Sequence, residues 1–200
     1  MKKSIFLIAL GLAVSVGCPF ANAQNDELAD SEVQTKVKQA RVHAKALGGA
    51  LKSRLKQTLQ SGGLEAGVEE CKLAAEPIAE GLSQNGWEVG RTALKVRNPN
   101  NVPDEWEREQ LALFASLLEK TKLEEKQPST PIDTYKYDSD SGEFRYMMAI
   151  QQGQVCMACH GAQVAPSVKE TILKHYPKDE ATGFELGELR GAFTLTYSPQ

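Results

Sequence analysis

The chain is poor in the residues from which most metal and redox sites are built. It has four cysteines and three histidines in 200 residues. One Cys-x-x-Cys occurs, and neither a second copy nor a His-x-x-x-His accompanies it. That leaves a structural zinc site, which takes four protein ligands, without its full set. No βαβ pattern precedes the cysteine pair, which speaks against a thioredoxin-like dithiol. Beyond the first apolar run, no segment is long enough to cross a bilayer. Internal repeats and low-complexity tracts are missing, so repeat architectures are excluded. Basic charge is not in excess either: 23 lysines and arginines stand against 26 acids, for a net charge of -3. Nucleic acid and anionic membrane surfaces are therefore poor partners.

What is present begins with an export signal. Lys2 and Lys3 form a positive start, Ile5 to Val16 is apolar, and Ala21-Asn22-Ala23 fits a cleavage site. Residues 1–23 read as a signal peptide, with the mature chain starting at Gln24 in the periplasm. Cys18 leaves with the signal. Loss of two lysines and no acids takes the net charge from -3 to -5. The remaining 24–200 suffice for a single domain with its own core. Cys71, Cys156 and Cys159 are retained.

The organising stretch is Cys156-Met157-Ala158-Cys159-His160-Gly161. Two cysteines two residues apart, followed at once by histidine, form the attachment pattern for c-type haem. Each thiol can add across one vinyl group of the porphyrin, and the adjacent imidazole can ligate the iron. One such motif implies one covalent haem c, bound by Cys156 and Cys159, with His160 on the metal.

Around this motif the pattern is mixed. Val33, Val37, Ala40, Ala44, Leu47, Leu51, Leu55 and Leu59 recur at helical spacing, and Ser61-Gly62-Gly63 ends the helix. Such a stripe could pair with a second copy of the chain, although packing within one domain is the commoner outcome. A second helix runs from Leu64 to Leu82, with Leu64, Val68, Cys71, Ala75, Ile78 and Leu82 on one inward face and a kink expected from Pro77, about one turn after Cys71. Trp87 to Arg97 alternates as a strand, and Asn98-Pro99-Asn100-Asn101 is a turn. Asp104 and Glu107 suggest a capping box for a third helix with Glu107, Leu111, Phe114 and Leu118 in line. Lys122 to Pro131 is a loop. Tyr135 and Tyr137, then Phe144, Tyr146, Met148 and Ile150, flank a turn and predict a hairpin. Lys169 to Tyr176 is a short helix, and Gly187 to Ser198 a final strand. The order predicts an α+β domain, not an all-helical cytochrome.

A second axial ligand could come from Cys71, His43, His175, Met147, Met148 or Met157. Met157 lies inside the attachment loop, Met148 shares a face with core residues, and Met147 points the other way. Histidines at such positions are most often structural. A free inward cysteine usually packs as a small hydrophobe, so the pattern alone leaves the choice open. A small haem peroxidase would need a distal histidine and arginine that face each other. Arg41 and His43, two apart on a helix, do not, so no enzymatic turnover is expected.

Several segments together resemble one family. These are Cys71-x-x-x-Ala75-x-Pro77, the run Gly90-Arg91-Thr92-Ala93-Leu94-Lys95-Val96-Arg97-Asn98-Pro99, the haem motif, and Gly187-x-x-x-Gly191-Ala192-Phe193. The family is that of c-type haem domains with a Per-Arnt-Sim-like fold, long catalogued as a domain of unknown function. The resemblance implies a five-stranded antiparallel sheet flanked by helices, and haem iron held by histidine and cysteine, here His160 and Cys71. It implies a periplasmic monohaem protein for electron transfer or redox sensing, working with a redox or signalling partner. The alternative is a gas sensor in which NO or CO displaces Cys71. The chain carries no kinase or cyclase segment, so a signalling output is expected to need a partner protein. Arg91 and Arg97 could hold haem propionates or a small anion, or pair with surface acids.

Overall fold

The computed structural model describes residues 20–124 and 130–200, with side chains from Asp30 onward. The expected signal peptide therefore lies outside the described residues, apart from helical backbone beginning at Phe20. So does the middle of the loop expected at Lys122–Pro131.

The first element, α1, spans Phe20–Leu82 and is broken at Gly63 (φ 78°, ψ -166°). Only glycine adopts that positive φ at little cost, which is why the Gly62-Gly63 pair falls at the break. Beyond it the chain doubles back. Gly67 lies against Leu55 and Leu59, and Arg54 Nε donates to Glu70 Oε1 at 2.5 Å. Helical backbone runs through Pro77, and the non-helical φ/ψ within α1 falls at Gly63.

Four antiparallel strands follow: β1 (Trp87–Thr92), β2 (Asp133–Tyr137), β3 (Phe144–Gln151) and β4 (Leu189–Tyr197). Their order in the sheet is β1-β4-β3-β2. The family resemblance implied five strands; among the described residues there are four. The strand expected over Trp87–Arg97 ends early, at Thr92. β4 continues past Ala192, the partner of Thr92, to Leu189, but β1 leaves it there, and the Ala93 amide turns to the Asn101 carbonyl at 3.2 Å.

Helices cover both faces of the sheet. On one face Val33, Val37, Ala40, Ala44 and Leu47 of α1 pack against Trp87, Val89, Phe144, Tyr146, Met148, Phe193 and Leu195. Fully burying a side chain the size of Leu47 is worth about 2 kcal/mol. The predicted stripe is thus spent on the chain's own sheet as far as Leu47. On the other face α2 (Glu105–Leu123) lays Leu111 and Phe114 on Met147 and Ala192. Its capping box forms in both directions: Asp104 accepts from the Glu107 amide, and Glu107 accepts from the Asp104 amide. The alternation of β3 explains the two methionines, since neighbouring strand residues point to opposite faces. After β3 come the short helix α3 (Met157–His160) and α4 (Pro166–His175), which buries Val168 and Ile172 against Val68 on the second arm of α1. Among the described residues no helix is long and apolar enough to cross a membrane.

Candidate functional site

The two arms of α1, the ends of β1 and β4 and the turn after β3 enclose one large cavity. Its space, mouth included, is about 1380 Å³. Leu51, Leu55 and Leu59 continue the α1 stripe past the point where the sheet covers it, and so become cavity wall. Leu64 and Val68 line it from the returning arm, and Ile150, Val155 and Phe193 from the sheet side. Cys156, Cys159 and His160 all border this space, and so does Cys71.

Cys71 differs from its sequence expectation. It is on the predicted face of its helix, but that face borders the cavity instead of closing over it, and the residue is exposed. Enclosure by the cleft pushes its thiol up, while the charges of Arg91 and Arg97 pull the other way. Burial likewise pushes the Cys159 thiol up. Cys71, Cys156 and Cys159 are all free thiols.

His160 is held in one tautomer. Its Nδ1 lies 2.7 Å from the Ala181 carbonyl, an acceptor, so Nδ1 carries the proton and donates. Nε2 is then left with its lone pair, the arrangement a metal-ligating imidazole needs. Burial, with help from Arg190 and Arg97, drives its pKa to about 2, so the ring is neutral at physiological pH. Arg97 is the hub that fixes this corner. Its guanidinium grips both oxygens of Asp179 at 2.9 and 3.2 Å. It also donates to the Cys159 carbonyl at 2.7 Å and the Ala181 carbonyl at 3.4 Å. One nitrogen stands 3.5 Å from His160 Nε2.

The other candidate ligands are elsewhere. His43 packs on the Trp87 ring, centroids 5.4 Å apart. His175 Nε2 faces Glu69 at 3.4 Å. Met147 is fully buried beneath α2, and Met148 belongs to the core under α1. Met157 takes a 3.6 Å contact from Gln152. None of the five lines the cavity; of the six candidates, Cys71 alone does.

Arg190 was not singled out from the sequence, and Tyr176 only as the end of a helix, yet both line the cavity. Arg190 precedes Gly191 in the Gly187-x-x-x-Gly191 run, and that adjacency was the available signal. With Arg91 and Arg97 it makes three arginines around one space. Burial and the two neighbouring cations lower the Arg190 pKa to about 10.

The model of the family described as Tll0287-like matches residues 23–198. Among solved structures, the crystal structure of the cyanobacterial heme-protein Tll0287 matches with 26% identity over 84% of this chain and 95% of that one, at a TM-score of 0.48. The search of curated proteins gives no match.

Proposed function

The chain belongs to the Tll0287-like family, and from the cavity it builds we propose that it is a periplasmic monohaem c-type protein for electron transfer or redox sensing. The observation that carries this is the shared cavity. The attachment triad Cys156, Cys159 and His160 borders the same space as Cys71, and no other candidate ligand does. The chain's own chemistry fits the group. The two thiols of the attachment turn are free, and each can add its S–H across a vinyl with no oxidant and no leaving group. His160 presents an unprotonated Nε2, and Cys71 offers sulfur from the returning arm of α1. The leucine, valine and phenylalanine lining keeps water from the faces of a flat macrocycle. A sheet with helices on both faces supports a Per-Arnt-Sim-like fold. The family's namesake is a heme protein by its title.

When bound, the haem supplies one-electron iron chemistry, and a thiolate ligand holds the potential below that of methionine-ligated cytochromes. The protein's part is to fix the ligands, exclude water and set the local charge. Output passes to a redox or signalling partner, and the chain needs no turnover of its own.

The test is production of the exported chain alongside c-type haem maturation machinery. One haem per chain should survive denaturation and acid extraction, and Cys156→Ser/Cys159→Ser should lose it. Haem that washes out of the denatured wild-type chain, or none at all, contradicts the proposal. Slow or absent CO binding to the reduced protein favours the carrier, and rapid binding favours the gas sensor in which Cys71 is displaced.

A further inference from the structure

The charge around the cavity does not balance. Among the described residues its lining holds Lys52, Arg91, Arg97 and Arg190 and not one Asp or Glu, in a chain whose net charge is -3. Lys52 is exposed and solvated. Arg97 is neutralised by Asp179, whose carboxylate it grips with two nitrogens. Arg91 and Arg190 remain. Among the described residues the Arg91 side chain makes no hydrogen bond and no ion pair, and that of Arg190 has one long bond, to the Lys95 carbonyl at 3.4 Å, besides stacking on Phe184. Both are half-buried, and desolvation depresses the pKa of each.

An arginine cannot readily shed its proton. A partly desolvated charge without a partner is unfavourable, so two such side chains beside one space favour negative groups within it. The guanidinium fork matches a carboxylate with two parallel hydrogen bonds. The two arginines come from neighbouring strands at the same end of the sheet, where β1 stops and β4 begins. A single ligand bearing two carboxylates therefore satisfies both at once.

We infer that Arg91 and Arg190 form a paired carboxylate site in which each holds one of the two propionates of the haem, while Arg97 serves the protein's own Asp179. This rests on the haem proposal above. It also sorts the arginines by role: two toward the ligand, one toward the fold.

The experiment uses the haem-loaded protein and the variants Arg91→Gln, Arg190→Gln, Arg91→Lys and Arg190→Lys. Haem content and ligation are first read from the denatured mass and the optical spectrum. Resonance Raman then reports the propionate-bending bands, and a redox titration reports the potential. Each glutamine variant should shift a propionate band and move the potential to more negative values, because a cation near the iron has gone. The lysine variants keep the charge, so the potential should return toward wild type while the band stays shifted. Should a glutamine variant fail to accumulate, its lysine counterpart carries the Raman reading. Unmoved bands in variants with intact haem and ligation overturn the site. A wild-type potential that responds to added inorganic phosphate, with the bands unmoved, overturns it too and assigns the arginines to a free anion. A wild-type chain without covalent haem is a different failure, that of the underlying proposal.

Discussion

Replacing Arg97 by glutamine should destabilise the protein by about 3–5 kcal/mol, the range for breaking a buried ion pair from one side. Its side chain is 12% exposed and that of Asp179 only 4%. Removing the cation leaves Asp179 charged in a place water barely reaches. It also takes donors from the carbonyls of Cys159 and Ala181. The latter orients His160, so the loss reaches the imidazole as well. For a chain of this size the melting temperature should fall by on the order of 10 °C, read from thermal unfolding of the haem-loaded protein by circular dichroism. Adding Asp179→Asn should recover part of the loss, since the stranded charge goes with it. A drop below about 1 kcal/mol would show that the pair is solvated like a surface bridge.

Gly191→Ala is the second large effect. A Cβ there would lie 2.5 Å from the Thr92 carbonyl oxygen and 3.0 Å from the Ala93 Cβ. The oxygen is backbone at the end of a strand pair, so relief requires β1 and β4 to separate. β4 already breaks register in this region, where pairing shifts between Ile150 and Gln151. Overpacking of this kind costs about 2–3 kcal/mol. The same displacement moves the neighbouring Arg190, so the variant should lose stability and shift the potential together. Stability within about 0.5 kcal/mol of wild type in chemical unfolding would mean that the strands part freely.

Much of this fold was legible in the sequence because it is written in local patterns. The α2 line of Glu107, Leu111, Phe114 and Leu118 is buried throughout, and its capping box is read from two residues three apart. The hairpin alternation places Phe144, Tyr146 and Met148 on one face and Met147 on the other. What failed was non-local. Thr92 ends β1 because the next amide, that of Ala93, bonds to the Asn101 carbonyl instead of to β4, which no property of Leu94 or Val96 announces. Cys71 was assigned correctly to a helix face, but periodicity gives only the face and not what lies opposite. There the apolar stripe meets a cavity in place of a core. The same limit hid Arg190, which reads as an ordinary strand-end charge until three arginines prove to share one space. The Cys-x-x-Cys-His pattern itself was legible because its two cysteines and histidine fall within five residues, Cys156 to His160.

The ferric haem-loaded protein, measured by low-temperature electron paramagnetic resonance and optical spectroscopy beside Cys71→Ala, tests the account most directly. The account predicts a low-spin thiolate spectrum in the wild type, lost in the variant while the haem stays covalently bound. An identical spectrum in the two proteins would contradict it, since Cys71 would then line the cavity without ligating the iron.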